Sequence, residues 1–316
     1  MGFAMEEFYA FLNQLPSPAN QDDKRLWYIA SLISDLAYHH VPEFELERDH
    51  VKRVKVIPSD AFQTLVARGQ PAHVGTVLRA MDFPRTFVIE DRGIIAVGIF
   101  VSDRLIIGFR GTVSLYDWRI NLSAKLTHLD DYRDHHHPWP VRRMGGYHRG
   151  FAEEAIRIGV LITEQLQSAQ TLPRELILCG HSLGGAVASV CGALIGNWAE
   201  RCQTITFGAP RFCDAAALYA RAGSLLAVKR VGDLVPLVPP RSKGFVDCLK
   251  EYDTLGRPVQ SALRDTYSSY LAWRWALFVG TKARAHAMES YRGDIGRLVG
   301  AQFATSALTA ASKIKS

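Results

Sequence analysis

Leu176-Ile177-Leu178-Cys179-Gly180-His181-Ser182-Leu183-Gly184-Gly185-Ala186 is the stretch that decides how this chain folds. Leu176 to Cys179 is a short, wholly apolar run, as expected of a strand covered on both faces of its sheet. Gly184 to Leu194 is rich in small residues and reads as a helix. Between the two lies Gly-x-Ser-x-Gly. A strand that turns abruptly into a helix forces the residue at the tip into strained backbone geometry and lifts its hydroxyl clear of the sheet. Glycines two before and two after that residue remove side chains that would collide at the turn. The helix N-terminus behind it offers free N–H groups and a positive dipole end to developing negative charge. A glycine-rich turn whose serine merely caps a helix would share the spacing. The strand before and the helix after favour a nucleophile at Ser182.

A serine hydroxyl is a weak nucleophile and needs a base that is itself oriented by an acid. On a strand–elbow–helix scaffold these follow the serine in the order acid, then histidine. Of the 11 histidines only His286 follows Ser182, which makes it the base. His181 adjoins the nucleophile and is expected to point away from it. The acid candidates between Ser182 and His286 include Asp214, Asp233, Asp247, Glu251, Asp253 and Asp265. Functional residues of open α/β sheets sit just beyond the carboxyl ends of strands. Asp233 follows the apolar run Leu225–Val231 after one glycine and is the favoured acid, with Asp247 and Asp253 as alternatives. Asp214 reads as the start of a helix.

Outward from the elbow, strand and helix patterns alternate. Leu26 to Tyr38 has apolar residues at helical spacing, and Ile94–Val101 and Leu105–Arg110 read as two strands joined by a turn at Ser102-Asp103. Phe151 to Leu166 reads as a helix, Thr204–Phe207 and Leu225–Val231 as buried strands, and Asp214–Ala222 as a helix between them. From about Ser261 onward the pattern is mostly helical. This alternation implies an α/β fold with a mostly parallel central sheet and helices on both faces. No linker or repeat divides the chain, so it reads as a single domain: an N-terminal helical and loop segment (1–84), a catalytic core (85–295) and a C-terminal tail (296–316).

The 316 residues are 48% hydrophobic and 22% charged, enough for a sizeable core. A formal net charge of +6 is spread along the chain, which argues against nucleic acid as partner and leaves a mild attraction to anionic membrane surfaces. Five cysteines without a Cys-x-x-Cys pair suggest neither a disulfide framework nor a zinc site. Met1–Gln14 lacks the pattern of a secretory leader, and no apolar run is long enough to cross a bilayer; Tyr270–Val279 is interrupted by Arg274. A cytoplasmic protein is the expectation, with export by a leaderless route as the alternative.

Six segments together resemble the class 3 lipase family of fungal-type triacylglycerol lipases. They are Ile107-Gly108-Phe109-Arg110-Gly111-Thr112, Gly146-Tyr147-His148-Arg149-Gly150-Phe151, Gly180–Ala186, Thr206-Phe207-Gly208-Ala209-Pro210-Arg211, Gly232-Asp233-Leu234-Val235-Pro236 and His286-Ala287-Met288-Glu289-Ser290-Tyr291. They stand in the family's order and span roughly residues 85 to 295, with a weaker echo in Ile29–Tyr38. The resemblance implies an α/β-hydrolase fold, a Ser182-Asp233-His286 triad and an oxyanion hole. Its donors would be Thr112, after Phe-Arg-Gly, and the N–H of Leu183. It also implies a lid after the oxyanion residue. Val113–Leu122 places Leu115, Trp118 and Leu122 on one helical face, suited to covering an apolar site or lying on lipid; a helix packed permanently on the core has the same pattern. The loop Asp130–Met144, with Asp134-His135-His136-His137-Pro138-Trp139, departs from the family. Three consecutive histidines do not converge on one side, so a solvated loop is expected there and no metal. His148 is expected to order the loop near the site, and Arg110 to be structural.

The implied activity is hydrolysis of a carboxylic ester through an acyl-enzyme, without a cofactor. A lipid ester is the expected substrate, triacylglycerol first, presented at a lipid–water interface. A phospholipase A1 and an esterase for short or aromatic acyl groups are rivals within the class. A lipase-like protein that binds without turnover is the rival outside it.

Overall fold

The computed structural model describes residues 10–38, 55–58, 85–91, 94–110, 125–132, 145–167, 172–221, 223–259 and 283–301. Thr112, the lid segment Val113–Leu122, residues 133–144 of the histidine-rich loop and Tyr270–Val279 lie outside them.

Eight strands form one sheet in the order β1-β2-β3-β4-β7-β8-β9-β10. They are β1 (Lys55–Pro58), β2 (Arg85–Asp91), β3 (Ile94–Val101), β4 (Arg104–Arg110), β7 (Glu175–His181), β8 (Arg201–Phe207), β9 (Leu225–Lys229) and β10 (Glu251–Asp253). Two short strands, β5 (Leu126–Thr127) and β6 (Tyr147–His148), pair separately. From β1 to β4 the pairing is antiparallel; from β4 through β7, β8 and β9 to β10 it is parallel. The parallel half is the half that carries the elbow. Lys55–Pro58 adds an edge strand inside the stretch 1–84 that reads as helix and loop, because four residues ending in proline carry too little alternation to announce a strand.

Helices cover both faces. On one lie α1 (Lys24–Leu36) and α6 (Met288–Leu298); on the other lie α2 (Arg149–Gln167) and α3 (Leu183–Ile195). The side-chain alternation of the strands divides accordingly. Leu105, Ile107, Phe109, Leu176 and Leu178 join the core under α2 and α3, while Ile106, Ile177, Cys179, Ile205 and Phe207 join the core with α1 and α6. Strands buried on both faces have no polar face to show, which is why β7 reads as an unbroken apolar run. Each fully buried leucine or isoleucine contributes about 1.5–3 kcal/mol.

Local signals set the ends of the elements. Asp23 caps α1, accepting the Arg25 N–H at 2.9 Å, and Asp214 caps α4 (Ala215–Tyr219), accepting the Ala217 N–H at 2.9 Å. A last short helix, α5 (Ala283–His286), precedes α6. No described helix is long and apolar enough to cross a membrane.

Candidate active site

The parallel strands end along one rim of the sheet, and Ser182, His286 and Asp233 meet there. Ser182 stands between the last residue of β7 and the first of α3, with φ 58° and ψ −131°. A non-glycine residue at positive φ is strained and persists only where its surroundings impose it. The imposition is visible. The Ser182 N–H donates to the Phe207 carbonyl at 2.9 Å, and the Ser182 carbonyl accepts from the N–H groups of Gly185 and Ala186 at 3.0 and 3.3 Å. A Cβ on Gly180 would lie 2.5 Å from the Gly184 carbonyl oxygen, so strand and helix approach this closely only with glycine there. As the first residue of α3, Leu183 has no carbonyl one turn back for its N–H.

His286 closes α5 and reaches the serine: its Nε2 lies 2.8 Å from Ser182 Oγ. Its Nδ1 lies 2.8 Å from Asp233 Oδ2. Carboxylate, imidazole and hydroxyl thus form one unbroken hydrogen-bonded line. Asp233 follows β9 after Arg230, Val231 and Gly232, and its side chain has 0% exposure. Burying a carboxylate is costly unless donors replace its water. Besides the imidazole, the Val235 N–H donates to Oδ1 at 2.9 Å and the Tyr291 hydroxyl to Oδ2 at 2.6 Å. The same Tyr291 oxygen accepts the Arg230 N–H at 3.0 Å. Burial, reinforced by the neighbouring carboxylate, raises the Tyr291 phenol well above its ordinary range, so it serves as a donor. A Cβ on Gly208 would stand 2.6 Å from Asp233 Oδ2, at φ 57°; only glycine lets β8 pass so near the acid.

Of the other acid candidates, Asp265 lies outside the described residues, and the rest are occupied elsewhere; Glu251 pairs with Lys229 at 2.6 Å. Asp247 is held by Arg211, Arg241 and Lys229, whose charges keep its carboxyl below the usual range despite burial. Asp253 closes a turn by accepting from Leu255 and Arg257. Asp214 holds Gly146 N–H at 2.7 Å as well as capping its helix.

His181 makes its side-chain hydrogen bonds to Tyr38 and to the backbone of His286. Its Nε2 lies 2.6 Å from the His286 carbonyl oxygen and its Nδ1 lies 2.7 Å from the Tyr38 hydroxyl. Neither this relay nor the role of Tyr291 is apparent from the sequence. A backbone carbonyl has no residue signature, and Tyr38 and His181 are 143 positions apart. The expected oxyanion donor Thr112 and the lid residues Leu115, Trp118 and Leu122 fall outside the described residues. Arg110, two positions before Thr112, is the register partner of His181.

Residues 106–243 match the model of the class 3 lipase family. The secreted mono- and diacylglycerol lipase 1 of Fusarium solani is 24% identical over 212 residues, covering 63% of this chain and 60% of that protein. The chloroplastic phospholipase A(1) DAD1 of Arabidopsis thaliana is 28% identical over 149 residues, covering 43% of this chain and 33% of its own. The chain therefore spans less than two thirds of these curated relatives. The crystal structure of the Lip2 lipase from Yarrowia lipolytica superposes with a TM-score of 0.51 at 19% identity, over 74% of this chain and 80% of that one. The shared fold is the α/β-hydrolase fold.

Proposed function

For a chain whose residues 106–243 belong to the class 3 lipase family, we propose a serine carboxylic-ester hydrolase acting on lipid esters. The observation that carries the reading is the line Ser182 Oγ, His286 and Asp233 Oδ2, closed by two 2.8 Å contacts at a strained elbow. His286 Nε2 takes the Ser182 proton as Oγ attacks the ester carbonyl. Asp233 orients the imidazole through Nδ1–H and balances the charge it gains. The N–H of Leu183 and the group at Thr112 hold the oxyanion, donors worth about 3–4 kcal/mol each to the transition state. The imidazolium returns its proton to the departing alcohol, and water, activated by the same base, releases the acid from Ser182.

Within this class, acylglycerol is the leading substrate, supported by the acylglycerol lipase among the relatives. A phospholipid with the same ester is the second reading, supported by the phospholipase A(1). Hydrolysis of p-nitrophenyl esters of rising chain length by wild type and Ser182→Ala tests the activity. Wild type should prefer long acyl chains, and the variant should lose roughly 10⁶-fold in kcat. Equal inactivity of both would leave a binding protein, and turnover confined to acetate and butyrate would remove the lipid assignment. Fatty acid release from triacylglycerol emulsions against phosphatidylcholine vesicles separates the two lipid readings.

A further inference from the structure

We propose that His181 is a positioning residue for His286, anchored by Tyr38 and acting through the His286 backbone carbonyl. The inference rests on the reading of His286 as the base. Helix α5 runs only from Ala283 to His286, and the last carbonyls of a helix have no partner within it. His286 is the last residue, so what fixes its peptide plane must come from outside. His181 Nε2 supplies that at 2.6 Å.

A carbonyl oxygen only accepts, so His181 Nε2 carries the hydrogen. A neutral ring then offers Nδ1 as an acceptor, and the Tyr38 hydroxyl, 2.7 Å away, donates to it. Burial suppresses protonation of His181, and the nearby His286 adds to that. Burial also raises the Tyr38 phenol, keeping its proton in place. The relay therefore has one polarity, from Tyr38 O–H to Nδ1 and from Nε2–H to the carbonyl. The His181 and His286 rings lie 4.5 Å apart, and Tyr291 flanks His181 at 5.8 Å. His181 is itself fixed at the end of β7 by its register with Arg110 and Phe207. The rigid sheet that carries Ser182 thereby also sets the backbone of the base, tying both to one reference.

Steady-state kinetics on p-nitrophenyl esters and long-range proton–nitrogen NMR of histidine-labelled enzyme test this together. His181→Ala should lower kcat by about 10–100-fold with KM within about twofold, as expected for misplacement by a fraction of an ångström to an ångström. His181→Gln, whose amide can reach the carbonyl, should recover most of the loss. Tyr38→Phe should lower kcat by about 3–10-fold, and the Tyr38→Phe/His181→Ala double variant should be no slower than His181→Ala. In the wild-type spectrum His181 should be the neutral Nε2–H tautomer, and Tyr38→Phe should move the ring signals of His286. Wild-type enzyme without esterase activity would end the proposed function, and the spectra would still decide the relay. An Nδ1–H tautomer at His181, unmoved His286 signals in Tyr38→Phe, or full kcat in His181→Ala would each overturn the inference.

Discussion

His148 is 1% exposed, its ring stacks on Phe151 at 4.1 Å with Phe245 at 5.7 Å, and neither ring nitrogen has a hydrogen-bond partner among the described residues. Burial pushes its pKa down to about 4 from the ordinary 6.5, with Glu153 pulling weakly the other way. Between those two values the unfolded chain binds a proton that the folded chain does not. Stability contributed at higher pH is therefore lost as pH falls from about 6.5 towards about 4. At pH 5 the loss amounts to about 2 kcal/mol. His148→Phe keeps the aromatic stack and removes the titration. Urea unfolding at pH 5 and pH 7.5 should show wild type losing about 2 kcal/mol more than the variant on acidification. Parallel stability curves would mean that the ring finds a proton acceptor as the protein acidifies.

At the scale of elements, α6 acts as a buttress for the acid. Tyr291, in its first turns, places one oxygen between Asp233 and the Arg230 N–H, and Arg292 makes a buried charge contact with Asp35 of α1 at 3.2 Å. Tyr291→Phe should lower kcat by about tenfold and stability by about 1–3 kcal/mol, since a buried carboxylate loses a donor and a backbone N–H its acceptor. Stability lost with kcat unchanged would reduce Tyr291 to packing. The legible and illegible parts of the fold divide along the same line. The β3–β4 hairpin, the apolar β7, the elbow and the α3 helix are local patterns, so periodicity and glycine placement reveal them. Asp214 as a helix start is likewise a local signal. The β2 strand Arg-Thr-Phe-Val-Ile-Glu-Asp mixes polar ends with a short apolar middle, and β10 is three residues, so neither stands out from a loop. Asp233 could be favoured over Asp247 and Asp253 by its place after a strand. Its buttress could not, because Tyr291, Gly208 and Val235 meet it only through tertiary packing. Gly208 was visible inside Thr-Phe-Gly-Ala-Pro-Arg, yet its reason, a 2.6 Å approach to a carboxylate, exists only in three dimensions.

Across the whole molecule, the parallel strands separate chemistry from anchorage. The Ser182 line lies beyond their carboxyl ends. At their amino ends Glu175, the first residue of β7, gathers the Ala19 N–H at 3.0 and 3.1 Å, Arg104 Nε at 2.8 Å and Gln203 Nε2 at 2.6 Å. Arg104 also holds the Pro16 carbonyl, and Gln203 the Ala19 carbonyl, so the chain before α1 is strapped across β4, β7 and β8. Six residues of β7 separate the two ends, roughly 20 Å at strand rise. Among the described residues, the Ala19 N–H, Arg104 Nε and Gln203 Nε2 all donate to the Glu175 carboxylate. Glu175→Ala would leave the buried Arg104 charge unpaired and should cost about 3–5 kcal/mol in unfolding free energy. Glu175→Gln should cost nearly as much, because its amide nitrogen adds a donor among donors and the Arg104 charge stays uncompensated. In both variants kcat and KM per folded molecule, measured well below the melting temperature, should stay within about twofold of wild type, since the sheet transmits no displacement that the intact strand register does not carry. A kcat that falls in step with stability would show that the strap and the elbow belong to one cooperative element; a glutamine variant as stable as wild type would show that the charge on Glu175 is dispensable.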